Sequence, residues 1–161
     1  MICKPLTPPL ALLAFGCLSA IGQQPATRGV FTPAQAAAGR VAYEQSCGRC
    51  HTYSLRGRKG EEGELPPASS LPAPYLKFIG PAMRVPPLMG KAFVGKYGEK
   101  TTAELFTLFR GAADTTPVAE LHMSDDTLVS ITAYILQMNG GKAGDQPLTK
   151  TTNTAFQSLV E

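Results

Sequence analysis

Cys47-Gly48-Arg49-Cys50-His51 constrains this chain more than any other run in it. The C-x-x-C-H spacing is the attachment signature of a c-type haem. One helical turn sets both sulfurs and the imidazole on the same side of a macrocycle. The thiols of Cys47 and Cys50 would add across the two porphyrin vinyl groups, and His51 would lie under the iron as the proximal axial ligand. The competing uses of these residues fare worse. A thioredoxin-like dithiol belongs at a strand-to-helix junction in a βαβ unit, and no such alternation is visible. A zinc site needs four ligands, and the only other histidine, His122, is far along the chain.

The N-terminus reads as an export signal over residues 1–22. Lys4 forms a positive n-region, Leu10 to Leu18 an apolar h-region, and Ala20-Ile21-Gly22 a small-residue cleavage site, which gives a mature start at Gln23. The alternatives are an uncleaved membrane anchor, for which the apolar run is short, and a lipoprotein at Cys17, which lacks Leu three residues upstream. Of the 4 cysteines, Cys3 and Cys17 fall in this segment, so a mature exported chain keeps only the two of the motif. Haem attachment follows export in bacteria, so signal and motif agree on a periplasmic location. The formal charge of +3 over 161 residues, with only Lys4 lost on cleavage, points to no nucleic-acid partner and no anionic membrane surface. No stable membrane insertion is expected.

The rest of the chain, with 14 Pro and 16 Gly, predicts helices separated by long irregular stretches. Thr32-Pro33 is an N-cap followed by proline at the first helical position. The helix that follows is expected to run straight into Cys47, with Gly39 and Tyr43 one turn apart on one face. Thr52 to Gly80 reads as loop. Within it the basic cluster Arg56, Arg58 and Lys59 beside Glu61, Glu62 and Glu64 suggests a solvated excursion, with partner docking as the other reading. Val85-Pro-Pro-Leu-Met-Gly90 is expected to form pocket wall, and Phe93 and Tyr97 a short helix. Thr101-x-x-Glu104 is a capping box for a helix to about Arg110, followed by a polar loop from Gly111 to His122. Ser124 caps a last helix whose buried face is Leu128, Ile131, Ile135 and Met138, closed by Asn139-Gly140. The fold class expected is all-α, with three principal helices plus short helices and long loops around one haem. Residues 23–150 would form the domain and 151–161 a C-terminal tail that wraps it or docks a partner.

With these residues in place, the chain resembles the class I c-type cytochromes. In that family the first and last helices cross at a small residue and an aromatic, and Gly39 and Tyr134 stand in the matching places. A closer resemblance is to single-haem bacterial cytochromes that accompany periplasmic quinoprotein (PQQ) dehydrogenases. It rests on Gln35…Gly39…Tyr43, on Pro87-Leu88-x-Gly90-x-x-Phe93, and on Ala133-Tyr-Ile-Leu-Gln-Met-Asn-Gly140 followed by Ala143-Gly144…Pro147-Leu148. It covers roughly residues 30 to 150. The resemblance implies the cytochrome c fold and one covalent haem c. It also implies electron transfer rather than enzymatic catalysis, from a donor such as a PQQ-dependent dehydrogenase to an acceptor such as a terminal oxidase or another cytochrome.

One departure stands out. The family carries its distal ligand, usually Met followed by Pro, before the last helix, where this chain has Thr116-Pro117. Met123 is then the candidate distal ligand, and a hydrophobic staple against Leu128 is its other reading. His122 is the alternative ligand. Met83 and Met89 read as pocket lining, and Met138 as core. Met ligation would give a closed electron shuttle. An iron with no sixth protein ligand would instead suit a haem-based small-ligand sensor or a weak peroxidase.

Overall fold

The computed structural model describes residues 29–59 and 65–160. The expected signal segment, with Lys4, Cys3 and Cys17, lies outside the described residues, as do Glu61, Glu62 and Glu64. The described chain is all-helical apart from isolated bridges. Helix α1 spans Pro33–Gln45, α2 Gly48–His51, α3 Ala73–Leu76, α4 Lys91–Tyr97, α5 Thr102–Thr115 and α6 Asp125–Met138, with short 3₁₀ turns between and after them. The three long helices are those the periodicity predicts. No described helix is long and apolar enough to cross a membrane.

The caps explain where the helices start. The Thr32 hydroxyl accepts from Gln35 N–H at 3.1 Å, with Pro33 opening α1. Thr101 and Glu104 form the reciprocal capping box of α5, and Ser124 accepts from Thr127 N–H at 3.1 Å at the head of α6. Each side chain satisfies a backbone donor that the helix itself leaves without a partner.

The packing centres on α6. Leu128, Ile131, Ile135 and Leu136 are buried, and so are Val129, Thr132, Ala133 and Tyr134 between them. The helix is therefore enclosed on nearly all sides, not along one stripe. It crosses α1 at Gly39, where a Cβ would stand 1.8 Å from the Ser130 carbonyl oxygen. Only glycine admits so close a backbone approach. One turn on, the rings of Tyr43 and Tyr134 meet at 5.4 Å between centroids, inclined at 55°.

Two expectations change in detail, and of the two readings of the C-terminal tail the described residues show it wrapping the domain. Helix α1 stops at Gln45 and does not run into Cys47. The Ser46 hydroxyl donates to Ala42 O at 2.6 Å and its N–H bonds Tyr43 O at 3.1 Å, which turns the backbone before the short α2 begins. Helix α5 continues past Arg110 to Thr115, because Gly111 is exposed and Ala112-Ala113 are good helix formers; a 3₁₀ turn over Pro117–Leu121 follows. The segment after residue 150 is no loose tail. Thr102 donates to the carbonyls of Thr152 and Thr154 and accepts from the Thr154 N–H, and Thr101 bridges Ala155. Phe156 is fully buried, edge-on to Phe93 at 5.5 Å. Residues 151–160 thus close the same core that α4 and α5 begin.

Candidate functional site

Cys47, Cys50 and His51 line one cavity of about 320 Å³, a volume within the range of small-molecule and cofactor sites. Its lining is mainly apolar. Pro86, Pro87, Leu88 and Phe93 contribute from the middle of the chain, Leu108, Phe109 and Ala113 from α5, and Leu128, Ile131 and Ile135 from α6. Phe78 and Leu108 are at the same time part of the lining and exposed, 45% and 37%, so the cavity wall reaches solvent at both.

The motif is held from behind by polar contacts. His51 N–H bonds back to Cys47 O at 2.9 Å, and Cys50 N–H to the same carbonyl at 3.1 Å, which closes α2. Arg58 covers the other end of this turn. Its Nε donates to Cys50 O at 3.1 Å, its Nη2 to Arg49 O at 3.0 Å and its Nη1 to Ser70 Oγ at 2.9 Å. A planar fork of fixed donors matches two successive helix-end carbonyls well. Gly57 lets the chain reach this position: its φ is +76°, and a Cβ there would be 2.2 Å from Val85 O. Arg58 and Val85 then pair in an antiparallel bridge. The predicted solvated excursion is therefore corrected at Arg58, which is a brace for α2. The buried Leu55 likewise anchors this stretch, its carbonyl accepting from Leu88 N–H at 2.7 Å.

His51 has a defined tautomer. Its Nδ1 lies 2.8 Å from Pro86 O; a carbonyl only accepts, so Nδ1 carries the proton and Nε2 keeps its lone pair. Burial holds the imidazole below its ordinary pKa, with the Pro86 bond opposing in part. The ring is thus neutral at pH 7, the form that binds a metal. Burial also pushes both thiols above their ordinary range, offset at Cys47 by the Ser46 hydroxyl and at Cys50 by Arg58. Both cysteines are free. A raised thiol pKa runs against a thiolate redox nucleophile. Among the described residues, no group of three or more His, Cys, Asp or Glu is arranged to hold a bare metal ion.

The stretch that follows Pro86 is tied to the end of α6 at Leu88 and Gly90. Asn139 Nδ2 donates to Leu88 O at 3.0 Å and to Ile135 O at 2.8 Å, while its Oδ1 accepts from Gly90 N–H at 2.9 Å. In sequence Asn139 reads as a helix terminator. Gly140, at φ +95°, takes the left-handed conformation, and Asn139 clamps the Pro-rich wall to the end of α6. A buried amide with both N–H donors and its oxygen engaged marks that role, and a sequence carries no sign of it. Gln35 does the same for the other end of the domain, its amide pairing with both N–H and C=O of Leu148 at 2.8 Å.

The expected pocket residues divide. Val85, Pro86, Pro87, Leu88, Phe93 and Tyr97 line the cavity; Met83 and Met89 do not, and Met89 packs against the core instead. Of the distal candidates, neither Met123 nor His122 reaches the lining. Met123 is partly buried against the cluster that contains Leu128, the staple position, and His122 is exposed. Thr116 and Pro117 do line it. No protein-family model, curated protein or solved structure matches the chain.

The residues present fit a haem. Two free thiols and a neutral imidazole with an available Nε2 meet at a mainly apolar cavity whose wall reaches solvent.

Proposed function

We propose that this chain is an exported electron-transfer protein with the cytochrome c fold. On this reading it carries one haem c bonded through Cys47 and Cys50, with His51 as the proximal iron ligand. Its donor is a periplasmic dehydrogenase, a PQQ-dependent quinoprotein being the leading kind, and its acceptor a terminal oxidase or another cytochrome. The observation that carries the reading is the meeting of both free thiols and the Nδ1-protonated imidazole at one apolar cavity. The crossing of α1 and α6 at Gly39, with Tyr134 beside it, supports the fold.

When bound, haem supplies a reversible one-electron couple at iron. The chain does the rest. Pro86 O orients the His51 ring and raises its basicity toward a metal. Arg58 holds the α2 turn that spaces the two sulfurs. Apolar side chains from α5 and α6 exclude water from the interior, while Phe78 and Leu108 mark where the wall reaches solvent and a partner approaches.

The test is mass. A periplasmic preparation should weigh one haem more than the processed chain, and the double substitution Cys47→Ser with Cys50→Ser should remove that mass. The wild-type product should also titrate with a single reversible one-electron wave. A haem-free product from cells that mature other c-type cytochromes would overturn the reading.

A further inference from the structure

The proposed haem takes one iron ligand from His51, and the second depends on the rest of the cavity wall. Both histidines, and every methionine after Met1, lie among the described residues. Of these, only His51 lines the cavity.

The two nearest candidates are tied down elsewhere. Arg110 Nη1 donates to Met123 O at 2.9 Å, and its Nη2 pairs with Asp125 Oδ1 at 2.6 Å. The other Asp125 oxygen takes Lys150 Nζ at 2.8 Å. Ser124, between them, caps α6. His122 N–H closes the preceding 3₁₀ turn onto Ala119 O at 3.0 Å, and the residue sits at φ 44° with its side chain in solvent. These contacts hold the backbone of both residues, at a place where neither side chain lines the cavity.

The stretch of the same segment that does reach the cavity is Thr116-Pro117-Val118. Its side chains offer a hydroxyl and hydrocarbon, and a threonine hydroxyl is a poor ligand for haem iron. The contributions of α5 and α6 are hydrocarbon throughout. Tyr75 and Tyr97 also line the cavity; the Tyr75 hydroxyl is engaged by Arg49, and the Tyr97 ring is packed against Phe93 at 5.0 Å between centroids.

Resting on the haem reading above, we infer that the sixth iron position is left to a small uncharged molecule from solvent, of the carbon monoxide or nitric oxide class, and not to a protein side chain. Axial ligation and distal polarity decide whether a haem transfers electrons only or also binds a gas. The side of the cavity made by α5, α6 and Thr116-Pro117-Val118 is hydrocarbon but for one hydroxyl and favours a neutral diatomic over an anion, while Arg84 lines the cavity from the Pro-rich stretch.

The test uses the full-length holoprotein, first weighed for one haem, with carbon monoxide as the probe. The ferric protein should show a high-spin spectrum at neutral pH. The dithionite-reduced protein should bind carbon monoxide with one molecule per haem. Met123→Leu and His122→Ala should leave both results unchanged. Thr116→Met places a thioether at a position that lines the cavity, and it should turn the spectrum low-spin with loss of carbon monoxide binding. A wild-type low-spin spectrum abolished by Met123→Leu or His122→Ala would overturn the inference while leaving the haem reading intact. So would failure of the reduced protein to bind the gas at saturation. A product without haem mass overturns the haem reading and, with it, this inference.

Discussion

The cavity is flanked by two walls that are held in unlike ways, the first lining it through α6 alone, with α1 packed behind. On one side α1 and α6 meet through close backbone approach and interlocking apolar and aromatic side chains, from Gly39 against Ser130 to Tyr43 against Tyr134. On the other side the described residues 52–59 and 65–90 have little regular structure. A few polar side chains hold it: Arg58 on the α2 carbonyls, Asn139 on Leu88 and Gly90, and His51 on Pro86. Packing spreads its stabilisation over many small contacts, whereas each polar tie concentrates it in one removable group. The first wall sets whether the domain forms. The second sets where the motif's histidine points.

Substitutions should separate the two walls by both size and kind of effect. The largest is expected at the crossing. In Gly39→Ala the gain in helix propensity, about 1 kcal/mol, is outweighed by forcing α1 and α6 apart. A net loss of about 2 kcal/mol or more is expected, measured by urea unfolding. Unchanged stability would show that the crossing tolerates a Cβ and that the contrast is misdrawn.

Asn139→Ala comes next. It removes two donated bonds and one accepted bond from a buried amide, for a loss of about 2 kcal/mol. Hydrogen exchange should rise most at the Leu88 and Gly90 amides; a uniform rise over α6 instead would make Asn139 a helix residue rather than a clamp. Arg58→Lys keeps the charge and loses the fork, so about 1 kcal/mol is expected. Its signature is altered hydrogen exchange confined to α2 and the Ser70 region, and full retention of wild-type protection would remove Arg58 from the second wall.

The smallest effect is electrostatic. Lys150 and then Arg110 hold the exposed Asp125 carboxyl below its ordinary value of 3.8. A lowered folded pKa contributes stability that is fully present above 3.8 and is lost as pH falls through the folded value. Asp125→Asn should therefore flatten the acid limb of the stability profile below that pH, and 1 M salt should mask most of the difference. An acid limb identical in wild type and variant would mean that the Arg110–Asp125–Lys150 contacts carry no net coupling.

The same contrast explains what was legible. The three long helices and their N-caps at Thr32, Thr101 and Ser124 follow from local chemistry or a short spacing, while the crossing at Gly39 was implied by the family resemblance. What escaped was non-local. Arg58 reads as one cation in a charged run, and nothing within a few residues of it says that it reaches back to Arg49 and Cys50. Phe156 reads as a stray aromatic in a polar tail, yet it lies against Phe93, 63 residues earlier by their numbers. Met83 and Met89 read as pocket lining because they flank a Pro-rich wall. Residues in such a wall face in or out according to how the chain turns, and no period of 2 or 3.6 reports that.

By itself the sequence determined the chemistry on offer at Cys47, Cys50 and His51 and the helices that flank it, because spacing, caps and apolar periodicity act over a turn or two of chain. The tertiary structure alone decided the tautomer of His51, through Pro86 O. It alone set Met123 and His122 apart from the cavity that Thr116 lines. Those outcomes depend on which backbone groups meet across tens of residues, and a linear pattern contains no measure of that distance.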